Sequence, residues 1–210
     1  MESFTGDEKF INNGSETKYS MLDFWRWTLS CIYESTTRGS FAEYIVKIAL
    51  DHGGINANPS GKTGMEEYDL KGPILKCTGE PARIEVKSTG YFHLNQVLGI
   101  VPTKIQQFGI PKKKVLDENG DYPDDAPRQR NNDLYVFAVF NGMNEEENIF
   151  DLALWDFYVM PTYEINNDLI YKDRTNIRLK VVKKRCKKLS FDELATEIKD
   201  VCNKIEAIKV

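Results

Sequence analysis

A chain of 210 residues with 41% hydrophobic and 11% aromatic side chains can build one medium-sized core, which excludes a disordered polypeptide. Its formal net charge of −4 excludes indiscriminate attraction to nucleic acid over the whole surface but leaves room for a local basic groove. Cys31, Cys77, Cys186 and Cys202 form no C-x-x-C pair and the only histidines are His52 and His93, so neither a disulfide framework nor a zinc site is expected.

The opening MESFTGDEKF is acidic and polar, unlike a secretory or mitochondrial leader, and no apolar run approaches the roughly 18 residues that span a bilayer. A cytoplasmic location without membrane association is therefore expected. Residues 1–19 read as a flexible N-terminal arm, and residues 20–210 as a single domain with no internal repeat. SMLDFWRWTLSCIY places Leu22, Trp25, Leu29 and Ile32 at helical spacing behind a Ser20/Asp23 capping pattern. TTRG reads as a break. SFAEYIVKIALDHGG then reads as a second helix, with Phe41, Ile45 and Ile48 on one stripe and Gly53-Gly54 as its stop.

Strands are expected at EEYDLK, with a turn at Gly72, and at ARIEVKS. The stretch 101–109 is ambiguous. Residues 111–133 are polar, charged and rich in proline, and read as a long loop or a small hairpin insertion turned at Asn119-Gly120. LYVFAVF is apolar on both faces and predicts a central buried strand. LWDFYVMP predicts another strand, ended by Pro161, and IRLKVVKK an edge strand. SFDELATEIKDVCNKIEAI predicts an amphipathic C-terminal helix with a Ser190/Glu193 capping box and Leu194, Ile198, Val201 and Ile205 on one face. The order implies an α/β layer structure in which helices cover a mixed sheet.

Two motif-like stretches fail on inspection. GKT at 61–63 lacks the glycine five positions earlier that a phosphate-binding loop requires, because Asn56 stands there. Asp117, Asn119 and Asp121 begin with calcium-loop spacing, but Tyr122 replaces the obligatory glycine.

The sharper pattern lies in IEVK. In a strand, Ile84 and Val86 share one face and Glu85 and Lys87 the other, with Cβ atoms roughly 6 to 7 Å apart. A preceding strand carrying Asp69 would bring a second carboxylate beside them. Two such carboxylates repel unless a cation joins them, and a hard divalent ion with oxygen ligands is the natural partner. A lysine beside the ion can orient a water or hold a phosphate oxygen. Two carboxylates, one metal and one lysine suit metal-assisted phosphodiester hydrolysis. Plainer readings exist for each residue. Glu43 completes an S-x-x-E capping box with Ser40, and Asp69 is a turn residue before Gly72 with Glu67 as a rival ligand on its face. Glu85 and Lys87 also suit a surface ion-pair strand.

YDL with Asp69, then IEVK with Glu85 and Lys87, resembles the PD-(D/E)xK nuclease superfamily of restriction-endonuclease-like folds. The helix RGSFAEYIVKIAL is similar to the first core helix of many members, and the likeness covers roughly residues 38–90. The order from RGSFAEYIV through YDL and IEVKS to LYVFAVF and WDFYVMPT also resembles a bacterial group of restriction-type endonucleases. Tyr68 stands where the naming proline would be. The resemblance implies a restriction-endonuclease-like core with Asp69 and Glu85 as metal ligands, Glu43 as a supporting metal-site carboxylate and Lys87 as the catalytic lysine. It also implies Mg²⁺, with Mn²⁺ able to substitute, no organic cofactor, and DNA as substrate. Cutting both strands would call for a homodimer. On that reading Lys112, Lys113, Lys114, Arg128, Arg130, Lys183, Lys184 and Arg185 are candidate nucleic-acid contacts. The alternatives are a Holliday-junction or structure-selective nuclease of the same superfamily, and a non-catalytic nucleic-acid-binding or scaffold domain.

Overall fold

The computed structural model describes residues 4–57, 67–95, 97–115, 123–143 and 147–209. Within the segment expected to be an arm, β1 (Lys9–Asn12) and β2 (Ser15–Ser20) form an antiparallel hairpin. Asn13 and Gly14 turn it with φ of 49° and 79°, the left-handed backbone that an Asn-Gly hairpin turn requires. Helix α1 (Met21–Thr28) follows, with the expected capping box: the Ser20 amide donates to Asp23 Oδ2 at 2.8 Å and the Asp23 amide donates back to Ser20 Oγ. No α1 side chain is buried.

Helix α2 (Ser35–His52) starts five residues before the expected Ser40, behind an N-cap at Glu34. That carboxylate accepts from the amides of Thr36 and Thr37 at 2.8 and 2.9 Å, so TTRG forms the first helical turns instead of a break. Ser40 and Glu43 therefore lie inside the helix, and the capping reading of Glu43 is removed. At the other end a Cβ on Gly53 would stand 2.4 Å from the Cβ of Ala195, so only glycine allows the two helices to meet there.

Next come β3 (Leu70–Ile74), β4 (Pro81–Gly90), the hairpin β5 (Phe92–Asn95) and β6 (Gly99–Pro102), β7 (Gln107–Gly109) and the short pair β8 (Lys113–Lys114) and β9 (Arg128–Gln129). Gly72 lies inside β3, not at a turn. The β8–β9 pair gives the 111–133 insertion its hairpin, while the expected turn at Asn119-Gly120 falls outside the described residues. The chain continues through β10 (Leu134–Phe140), β11 (Trp155–Pro161), α3 (Thr162–Asn166), β12 (Asn176–Arg178), α4 (Leu179–Arg185) and α5 (Phe191–Lys209). The expected edge strand IRLKVVKK is mostly helical: β12 takes its first residues, and α4 buries Leu179 and Val182, three apart on one side.

The main sheet has the order β11-β10-β4-β3, with β10 parallel to β4 and both outer pairs antiparallel, which bears out the expected mixed sheet. All seven residues of β10 are buried, as its uninterrupted apolar run predicts. Alternation sorts this strand into two cores. Leu134, Val136, Ala138 and Phe140 join Ile84 and Val86 beneath α2 and α5, which contribute Ala42, Ile45, Val46, Leu194, Ile198, Val201 and Ile205. On the other face Tyr135, Phe137 and Val139 pack with Phe108, Ile110, Ile165, Ile177, Leu179 and Val182 from the short elements. The C-terminal helix thus buries the face read from its sequence. Among the described residues no helix is long and apolar enough to cross a membrane.

Candidate active site

The second face of the sheet carries the polar cluster. In the parallel register Tyr135 stands opposite Glu85 and Phe137 opposite Lys87, so both charged residues project on the Tyr135/Phe137 side, away from α2. Glu85 is only 3% exposed, and its Oε1 meets Lys87 Nζ at 2.6 Å and Lys113 Nζ at 2.9 Å. Burial, followed by the charge of Glu85, pushes the Tyr135 phenol well above its ordinary pKa.

Asp69 sits one residue before β3 and grips β4 on both sides of Glu85. Its amide donates to the Ile84 carbonyl at 3.0 Å, and its Oδ2 accepts from the Val86 amide at 2.8 Å. A carboxylate that closes a backbone pair in this way is fixed in place without a bulky neighbour. The β4–β10 junction is fastened next door: Arg83 Nε and Nη2 donate to the two Asp133 carboxylate oxygens at 3.0 Å each, a bidentate pair that holds the guanidinium pKa up.

Glu67 joins the cluster. Lys113 Nζ lies 3.4 Å from its carbonyl oxygen, and Asn131 Nδ2 donates to its Oε1 at 3.3 Å. Asn131 is 5% exposed, and its Oδ1 is buried without a hydrogen-bond partner. The orphaned amide oxygen belongs to a residue that meets the Glu67 carboxylate, and amide and carboxylate oxygens are donors of the kind a hard cation takes. The Lys113 ammonium bridges Glu85 and the Glu67 carbonyl as a cation would. Carboxylate and carbonyl oxygens of this kind are the donors that Mg²⁺ and Mn²⁺ take. Among the described residues, however, no three His, Cys, Asp or Glu side chains converge on one ion position. Glu43 comes from α2, in the layer across the sheet from Glu85 and Lys87, and is half-buried.

The predicted nucleic-acid contacts divide. Lys112 meets Asp173 at 2.8 Å, and Lys114 donates to the Pro123 carbonyl at 3.0 Å. Arg128, Lys183 and Lys184 are exposed. Arg185 pairs with Asp168 at 2.6 Å and lies over the Tyr171 ring. Arg130 is corrected: it is 6% exposed and all five guanidinium N–H groups are spent inside the protein. They donate to the carbonyls of Ile110 (3.0 Å), Lys172 (3.1 Å), Tyr171 (3.3 Å) and Arg174 (3.0 Å) and to Asn166 Oδ1 (2.8 Å), which leaves nothing to hold a phosphate. Sequence reasoning missed Asn131, which meets Glu67 across 64 residues of chain and has no local signal.

No family model, curated protein or solved structure is matched by this chain.

Proposed function

We propose that the chain is a metal-dependent endonuclease hydrolysing phosphodiester bonds in DNA, built on a restriction-endonuclease-like core. The observation that carries this reading is the grip of Asp69 on both sides of Glu85, with Glu85 buried against Lys87 at 2.6 Å. A carboxylate is buried at the cost of its hydration, and here two lysines meet one oxygen of Glu85.

Asp69 and Glu85 would hold Mg²⁺, with the Asn131 amide oxygen and the Glu67 carbonyl as candidate further oxygen donors. The bound ion supplies Lewis acidity and a water of lowered pKa. Lys87, on the same strand face as Glu85, holds a phosphoryl oxygen or orients the attacking water, and it remains on the strand whether or not substrate is present. Lys113, 44% exposed at its side chain, is free to leave Glu85 and follow the phosphate. Cutting both strands of a duplex at one address would use two copies of this single site.

Incubation of supercoiled plasmid with Mg²⁺ or Mn²⁺ tests the reading. Nicking or linearisation that is lost in Lys87→Ala and in Asp69→Ala is expected. Cleavage that persists without metal, or in both variants, would overturn it, as would the absence of cleavage with any DNA substrate.

A further inference from the structure

The buried guanidinium of Arg130 organises a surface as well as a core. By drawing in the carbonyls of Tyr171, Lys172 and Arg174 it turns the 171–174 loop outward, and the side chains of Lys172 and Arg174 are exposed. The neighbouring backbone is equally committed. Ile110 donates to the Thr175 carbonyl at 2.7 Å, Leu179 donates to the Gln106 carbonyl at 3.0 Å, and β12 pairs with β7 so that Arg178 stands opposite Gln107. A cavity of about 390 Å³ lies along this frame, lined by Arg174, Arg178 and Lys180 together with Gln107 and Asn176. Among the described residues no carboxylate pairs with any of the three cations.

A second cavity, of about 230 Å³, is lined by Lys112, Arg128 and Lys172, with Arg130 and Asn166 as its floor. Arg130 holds the Lys172 and Arg174 carbonyls, so the two cavities flank the same anchored loop. Lys112 of the near cavity is followed in the chain by Lys113, which reaches Glu85. One carboxylate interrupts the row: Asp173 holds Lys112 at 2.8 Å, and that ion pair keeps its carboxyl below the usual range.

We propose that these two cavities form a binding track for a nucleic-acid phosphate backbone leading away from the Glu85 site, with Arg174, Arg178 and Lys180 as its outer half. Several cations lining two cavities along one hydrogen-bonded frame favour a repeating anion over a single small one, and they neutralise phosphates without reading bases. An acidic chain needs such a patch, since its net charge of −4 offers no general attraction to DNA. The anionic character of the ligand follows from the track itself, while its assignment as nucleic acid rests on the hydrolytic reading of the Glu85 site.

Fluorescence anisotropy of a labelled DNA duplex in EDTA, titrated over a range of salt concentrations, tests the track apart from the chemistry. The triple variant Arg174→Gln/Arg178→Gln/Lys180→Gln changes exposed side chains only. It should lower the slope of log affinity on log salt by roughly 2 to 3, near one unit for each lost phosphate contact. Lys9→Gln/Lys18→Gln/Arg26→Gln removes the same charge from the N-terminal hairpin and α1 and should change the slope by less than about 1. Equal slopes in the two triples, or no duplex binding by the wild type, overturn the track. Metal-dependent plasmid cleavage with an unchanged slope would remove the track and leave the hydrolytic reading standing. Slope loss without any metal-dependent cleavage would do the reverse.

Discussion

Arg130 and Glu85 are both charges buried on the same side of the molecule, and they are held in opposite ways. Arg130 is surrounded by four backbone carbonyls and an amide oxygen, neutral partners that belong to three separate stretches of chain. Such a set cannot be exchanged without opening the fold. Glu85 is neutralised by two lysine side chains, Lys87 and Lys113, that are 28% and 44% exposed. Flexible, part-exposed partners can be replaced by another cation at small cost. One buried charge is a fastening; the other is a place where something can bind.

The comparison predicts a crossed result. Glu85→Gln, in a neutral isostere, should abolish metal-dependent cleavage, a loss of at least about 10²-fold. Its unfolding free energy should move by no more than about 1 kcal/mol, because both lysines can turn to solvent. Arg130→Met should cost about 3–5 kcal/mol, as five acceptors around one buried guanidinium lose their donor together. Urea unfolding of the two variants beside plasmid cleavage reads both axes; a Glu85→Gln chain as destabilised as Arg130→Met would erase the distinction.

The apolar face of β4 sharpens it further. Ile84 is fully buried beneath α2 and α5, and Ile84→Ala should cost about 2–5 kcal/mol in urea unfolding. Cleavage per folded molecule should stay near that of the wild type, since the residue faces away from the cluster. Lys113→Gln tests exchangeability directly. It removes a competing cation from Glu85 and should tighten Mn²⁺ binding by roughly two- to fivefold, the worth of a part-exposed ion pair. Weaker binding, measured by calorimetry, would assign Lys113 to holding the site together instead.

The smallest expected effect concerns a carboxylate of a third kind. Glu34 caps α2 from a half-buried position, and the amides of Thr36 and Thr37 hold its pKa down to about 2 from 4.5. A folded-state value below the unfolded one means that its contribution is present above about pH 4.5 and is lost as the pH falls towards 2. Glu34→Ala should therefore cost about 0.5–1 kcal/mol near neutrality and less in acid, which thermal unfolding at two pH values checks.

The sequence was most legible where one periodicity ran unbroken. The C-terminal helix, the doubly buried strand β10 and the Ser20 cap need only local rules, and the structure places all three as those rules require. The Asn13-Gly14 turn was also legible, and the polarity of the segment around it masked the hairpin signal. Helix α2 was misplaced because glutamate is an uncommon cap, so Glu34 gave no start signal ahead of Ser40. Residues 176–182 carry the β-branched side chains of a strand, but burying Leu179 and Val182 on one side of a short helix prevailed over that preference. At the candidate site, the shared face of Glu85 and Lys87 follows from alternation alone. Lys113, Asn131 and the role of Arg130 do not, because each depends on contacts made 20 or more residues away.

The most direct test of the central claim is a calorimetric titration of Mn²⁺ into the wild type and into Glu85→Gln, carried out without nucleic acid. A saturable binding event in the wild type that disappears in Glu85→Gln is the predicted result. Equal binding by both chains, or none by the wild type, would contradict the claim that Glu85 is an exchangeable charge reserved for a metal ion.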